Sequence, residues 1–562
     1  MNFRKGLTAL LFTLLLSVSV FAQDKTFHQI IGRDANSNEF RVRYQVANRN
    51  RIPLQLQPNS PLGDDWQTGL GTGGAMLLNQ WPSTWGLTNL NVQSPNCTTN
   101  YGEFNTNATP SATQANIVLY NNLFRGTGGL CGTGNPTLYA AYNVGTTPLN
   151  GSSVAWSFEG ASKGTAFVIL EREKAIVHVV TLTAGGTIGA PLAPTEVTID
   201  YTNAVSTHCT AGTVHTANHS NVWVDYSTDE AYVGDDAGRL YHITGIFNGT
   251  QTVDFCATIN GGAYMMEPVH IKVGTTDYVW IMTNGKRFYR TQVNSTRTGF
   301  TSTTSTIFSS IIGGFFDDQI YDTGSTGTTV VAYGWTNHNI AGTQASLYQI
   351  DALATPMASL AELKIGPTVN PSVGTFNGLY VDGYFDNNFF TNGAGSANAT
   401  GYTLVYPNGQ TNAPQLASFQ FNASGVMNST FLMTGNNNVN VSASTAVGNV
   451  ETAMITVYDS VAGVDQLFVG TGNGTTANTN RLTRWVITTP LTSNTATPSN
   501  AFATSDGGTS GIVIDYTDSG LGGQTQNIYF SELAAPLAGN RCGQTGGVNN
   551  QCAVKLQQAG LN

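Results

Sequence analysis

The sequence predicts an all-β protein folded as a single β-propeller, and three observations carry that prediction. Helical periodicity is nearly absent, while short apolar runs bounded by Gly, Asn, Asp and Thr recur along the chain. A strand–turn–strand–turn–strand unit repeats with a period above forty residues, the signature of propeller blades. Charged residues make up 10% of the chain, against about 25% in an ordinary soluble protein. Solubility therefore falls to Thr, Ser, Asn and Gly, which suits the polar uncharged loops of an extracellular β protein.

The strand pattern is plainest in Ala166-Phe-Val-Ile-Leu, Tyr278-Val-Trp-Ile-Met, Thr329-Val-Val-Ala-Tyr and Gln466-Leu-Phe-Val-Gly. One helix candidate persists, around Ser359 to Leu363, and it is too short to define a layer. The clearest repeat unit is VWVDYSTDEAYVGDDAGRLYHITGIF, from Val222 to Phe247. The unit VHIKVGTTDYVWIMTNGKRFYRTQV, from Val269, places Gly285 where Gly238 sits and Lys272 where Asp225 sits. A third copy begins at Gly313, with Asp318 roughly at the Asp225 position. Looser copies start at Leu379, Ile455 and Ile512, and an upstream one at Val154. Seven blades result, or eight if Asn116 to Val144 forms a blade alone. Ring closure should join strands from the two ends of the chain, because that removes sheet edges.

The N-terminus reads as a secretory signal, residues 1–22. Arg4 and Lys5 precede an apolar run from Leu7 to Phe21, and Val20 and Ala22 supply small residues before a cleavage point at Gln23. No later stretch offers about 18 uncharged apolar residues, so no transmembrane helix is expected. A secreted, periplasmic or cell-surface location follows. Residues 23–110 are less regular, with Pro53, Pro58, Pro61 and Pro82 and the group Trp66, Trp81 and Trp85. They read as an N-terminal extension packed on a propeller of residues 111–562, or as a separate small domain.

In that compartment the six cysteines read as disulfides. They fall into sequence-local couples, and loop closure favours Cys97–Cys131, Cys209–Cys256 and Cys542–Cys552. Six cysteines allow fifteen connectivities, so the pairing is a preference. The formal net charge of −10 and the scattered Lys and Arg exclude nucleic acid, since no basic stripe exists to neutralise phosphates.

AYVGDDAGRLYHIT, from Ala231 to Thr244, resembles the blade core of quinoprotein-like and YVTN-type propeller repeats. Asn121 to Gly145, NNLFRGTGGLCGTGNPTLYAAYNVG, resembles exported bacterial proteins of similar length. The first resemblance implies a propeller over roughly residues 150–540, and the second brings no activity with it. The quinoprotein cofactor pocket and haem motif have no match, so no cofactor is carried over.

The search for chemistry yields little. Gly69-Leu-Gly-Thr-Gly-Gly74 fits a dinucleotide fingerprint, but no βαβ unit surrounds it. His208, Cys209, His215 and His219 have the composition of a zinc set. Cys209 is claimed by a disulfide and a fourth ligand is missing, so no metal is expected there. Asp235-Asp236 sits in a repeat turn, where Asp caps its own backbone, and Asp317-Asp318 is more open. No G-x-S-x-G, H-E-x-x-H or EF-hand loop is present.

One candidate site remains: Asp225, Asp318, Asp382 and Asp515 sit at comparable places in their units. Repeat symmetry would ring the four carboxylates around one rim of the channel, ready for a structural Ca2+ or sugar hydroxyls. The bland alternative is that each Asp serves its own turn. The function expected is an extracytoplasmic binding or scaffold propeller, with a protein or glycan ligand at the cell surface or outside the cell. The alternative is a polysaccharide-active hydrolase or lyase with carboxylates at the central mouth. An outer-membrane barrel fits less well, given the irregular strand spacing and a C-terminal Leu561-Asn562 in place of an aromatic.

Overall fold

The computed structural model describes residues 30–31 and 62–558, apart from stretches that include 87–95, 210–217, 308–315, 366–382, 433–438, 441–453, 471–480, 515–526 and 534–550. The signal segment, Cys542, Asp382 and Asp515 lie outside the described residues. Among the described residues the strands form eight antiparallel sheets. In chain order these are blades 1 (83–142), 2 (155–200), 3 (223–258), 4 (269–307), 5 (316–364), 6 (383–431) and 7 (454–503). Blade 8 combines three strands within 513–558 with Leu62–Gly69 as its outermost strand.

Blades are screened on both faces by their neighbours, so a middle strand can bury every residue, as Ala166–Glu171 and Glu230–Gly234 do. Outer strands face solvent and turn polar, as in Thr195–Asp200. The helix candidate at Ser359 to Leu363 belongs to such a strand, Ala358–Lys364, the outermost of blade 5. Sheet pairing overrides its helical reading. A single short helix, Asn387–Asn392, is present among the described residues and is capped by Asp386. No helix among the described residues is long and apolar enough to cross a membrane.

The ring can be followed through its core. One apolar cluster joins blades 1 and 2 through Ile117, Leu119, Trp156 and Phe167, and another joins blades 2 and 3 through Val177, Val224 and Ala231. A third runs through blades 3, 4 and 5 with Trp223, Trp280 and Tyr321, and a fourth through 5, 6 and 7 with Trp335, Phe385 and Trp485. Blade 7 meets blade 8 at Gly470, where any side chain would strike Thr509. Blade 8 returns to blade 1 through Trp66, Tyr529, Phe104 and Val118. Buried tryptophans also tie neighbours by hydrogen bonds: Trp66 donates to Leu123 O at 3.1 Å, Trp280 to Ala352 O at 3.2 Å and Trp335 to Thr403 Oγ1 at 3.0 Å.

Among the described residues the blades number eight, the alternative to seven, because residues 83–142 make a sheet of their own. Ahead of residue 110, Leu62–Gly69, Ser83–Trp85 and Tyr101–Asn105 pair into these sheets. Closure by strands from both ends matches the expectation.

The closing strand is pinned by charge. Leu62–Gly69 pairs with Cys552–Gln558, and the register slips between Asp64 and Trp66. The extra residue, Asp65, turns its carboxylate to Lys555 Nζ at 2.6 Å, with both side chains buried. Lys555 also donates to Arg125 O of blade 1 at 3.1 Å. Gly126, at φ +138°, is required beside this pair, because a Cβ there would collide with the Asp65 carboxylate.

A second buried carboxyl lies between blades 1 and 2. Glu103 accepts from Ser83 Oγ at 2.9 Å, and Ser83 Oγ accepts in turn from Trp156 Nε1 at 2.9 Å. Burial pushes the Glu103 carboxyl up to about 8, with the Ser83 hydrogen bonds pulling weakly the other way.

Cys97 bonds to Cys131 and Cys209 to Cys256, with Cα atoms 5.6 and 4.9 Å apart. Cys552 is also disulfide-bonded. We expect the double variant Cys209→Ser/Cys256→Ser to lose about 2–4 kcal/mol in urea unfolding. An unchanged midpoint would contradict a stabilising role for that bridge.

Candidate functional site

The inner strand of blade 3, Trp223–Asp225, ends on Asp225. Its carboxylate is buried and points to the next blade. It accepts from Ser227 N at 2.9 Å and Ser227 Oγ at 2.6 Å, and it pairs with His270 Nδ1 at 3.0 Å on the inner strand of blade 4. From there the charges run on: His270 Nε2 meets Asp277 at 3.3 Å, Arg297 bridges Asp277 and Glu230, and Glu230 meets His242 Nε2 at 3.3 Å.

Burial alone would raise the Asp225 carboxyl, but the hydrogen bond and charge of His270, with help from Ser227, hold it far below the usual range. Burial likewise opposes charge on His270, and its bonds to Asp225 and Asp277 overcome that and raise it. Asp277 is lowered mainly by its bond to His270. Asp225 thus serves both its own turn and an inter-blade ion network. Of the other three aspartates, Asp318 lies in the inner strand of blade 5, Phe316–Asp322, and Asp382 and Asp515 lie outside the described residues.

A similar triad sits within blade 2. His178 lies between Glu171 at 3.1 Å and Glu196 at 2.8 Å. Burial works against its charge, yet the two carboxylates raise it to about 9. Glu171, despite burial, falls to about 2 through His178, Thr146 and Thr147. Asp235 behaves as expected of a turn residue, accepting from Ala237 N at 2.9 Å, Arg239 N at 2.8 Å and the Tyr241 hydroxyl at 2.7 Å.

The opposite end of blade 3 carries a different arrangement. The connection into its inner strand presents His219, and the corresponding connection into blade 4 presents Tyr264. The two rings stack at 4.6 Å and 7°. Asp236 orients the imidazole: its Oδ1 accepts from the His219 backbone N at 2.9 Å, and its Oδ2 lies 2.9 Å from Nδ1. A carboxylate only accepts, so Nδ1 is the donor in that bond. The His219 side chain is 42% exposed and Tyr264 is 36% exposed.

The flanking residues are tied together by hydrogen bonds. Arg172 donates to Ser220 O and Asn221 Oδ1, each at 3.0 Å, and Asn221 Nδ2 donates to Glu267 at 3.2 Å. Tyr264 N donates to Asn284 Oδ1 at 2.7 Å. The sequence offered His219 only within a zinc-like set, while Cys209 is spent on its disulfide and His215 lies outside the described residues. Tyr264 was missed. The available signal was an aromatic in a Gly-Gly-Ala-Tyr connection just ahead of an inner strand.

Sheet order and closure define an eight-bladed β-propeller. No protein-family model matches the sequence, and no curated protein matches it. Solved structures with likeness to it include the Dos1 propeller, at 9% identity and TM-score 0.41, covering 88% of this chain and 95% of that one. BamB from Moraxella catarrhalis has 9% identity and TM-score 0.37, covering 88% and 97%. The periplasmic gluconolactonase PpgL of Pseudomonas aeruginosa has 10% identity and TM-score 0.35, covering 62% and 83%. The fold assignment rests on the sheets themselves, and these likenesses add nothing about activity.

Proposed function

We propose that this chain is an extracytoplasmic binding propeller, and that its ligand, a protein or a glycan, seats on the face carrying His219, Asp236 and Tyr264. One observation carries the reading. This stacked pair is exposed and anchored by hydrogen bonds to Asp236 and Asn284, whereas Asp225, His270, Glu171 and His178 are committed to buried ion pairs. An exposed aromatic beside an oriented imidazole offers a flat apolar face and a directed polar ring edge together, the mixture that marks binding surfaces. The secretory pattern of residues 1–22 and the disulfides support the compartment.

A photo-crosslinking residue at position 264 tests this in the producing cell and on a glycan array, with position 360 as control, since Leu360 is exposed on an outer strand. Specific capture from position 264 but not 360, reduced at least about tenfold by His219→Ala, is the expected result. Equal capture from both positions would refute the surface. Release of reducing ends from a captured polysaccharide would favour the hydrolase reading over simple binding.

A further inference from the structure

Blade 5 has a fifth strand. Ile30–Ile31 pairs antiparallel with Phe316–Asp322, Ile30 opposite Asp322 and Ile31 opposite Tyr321. The strand Phe316–Asp322 is the innermost of its blade, since Val331–Thr336, Ser346–Asp351 and Ala358–Lys364 follow outward from it. Its second edge therefore faces the central channel. Ile30–Ile31 occupies that edge from the channel side. Among the described residues no other blade has a strand added there.

We propose that the channel edge of Phe316–Asp322 is an acceptor for an extended peptide, and that the chain's own N-terminal segment fills it in cis. An inner-strand edge exposes unpaired N–H and C=O groups at a spacing that any extended backbone satisfies. Affinity then comes from the main chain. The covalent geometry permits it: 30 residues separate Ile31 from Leu62 on the outer rim of blade 8. Extended, they reach about 100 Å, well beyond the ~24 Å radius of gyration of a compact chain this long. A tether of that length keeps the segment at a local concentration in the millimolar range, so a free peptide competes poorly until the segment leaves. This surface is independent of the His219 face.

The test uses the mature chain and a variant lacking residues 23–45, which retains the ring-closing strand. The probe is a fluorescent peptide with the sequence of residues 23–36. The shortened protein should bind the probe at least about tenfold more tightly than the mature chain does. A probe carrying Ile31→Pro, which removes a backbone donor, should bind at least tenfold more weakly. Hydrogen exchange of full-length Ile31→Pro supplies a second readout that does not depend on the deletion folding. Exchange should quicken within 316–322 and stay unchanged in the inner strand Val269–Val273 of blade 4. Equal probe binding by the two proteins, no binding by the folded deletion variant, or unchanged exchange in 316–322 would each overturn the proposal.

Discussion

Lys555→Met should destabilise the protein by about 3–5 kcal/mol, the cost of removing one member of a buried ion pair. The member that stays is Asp65, whose side chain is buried at the seam where blade 8 meets blade 1. The variant also removes the donor to Arg125 O. Adding Asp65→Asn should recover most of the loss, because a neutral amide beside methionine is far cheaper to bury than a carboxylate that has lost its cation. Urea unfolding of the two variants reads the result. A single variant within about 1 kcal/mol of the parent would show that the pair does not hold the closing strand.

Glu103→Gln should stabilise the protein, by an amount that grows with pH. The folded carboxyl titrates near 8 and the unfolded one near 4.5. Between those values the unfolded chain releases a proton that the folded chain keeps, so stability falls as pH rises across the window. The slope is at most about 1.4 kcal/mol per pH unit. Glutamine keeps a hydrogen-bonding group against Ser83 and has no proton to lose. The gain should be near zero at pH 4 and about 4 kcal/mol at pH 8.

His178 and Glu171 set the background. His178, raised to about 9 from 6.5, contributes fully below pH 6.5, and its contribution is lost as pH climbs through 9. Glu171, lowered to about 2 from 4.5, contributes fully above pH 4.5 and loses its contribution as pH falls through 2. Between pH 5 and 6.5 both are constant, so the slope due to Glu103 is cleanest there. Stability that falls equally in parent and variant over that window would contradict the assignment.

The repeat was legible where a turn demanded a particular residue. Gly238 has φ +82°, and a Cβ there would strike Asn260 O, so the Asp-Asp-Ala-Gly turn of blade 3 left a mark in the sequence. Blade 1 left only its outer half, within Asn116 to Val144, because its two inner strands, Ser83–Trp85 and Tyr101–Asn105, are separated by a long connection. The closing strand reads LGDDWQTG, with no clean alternation, since Asp65 occupies a bulge and its partner charge lies at Lys555. Asp225 was recognisable as a recurrent position. Its role was not, because the deciding partner, His270, belongs to the next blade and nothing in a single chain gives the register between blades. The same holds for His219 and Tyr264, which meet only when two connections are laid side by side.

The strand Leu62–Gly69 is synthesised early and used last. Its partner, Cys552–Gln558, lies roughly 500 residues away, so a growing polypeptide carries an unmatched sheet edge until residues 552–558 appear. Contacts this distant in sequence are slow to form and leave the intermediate open to aggregation. Blades 1 to 7 have their own strands and can assemble in order of synthesis, but the circle cannot be sealed vectorially. Loss of residues 552–558 therefore does more than remove one strand: it strands the segment made first and exposes both rims of the gap at once.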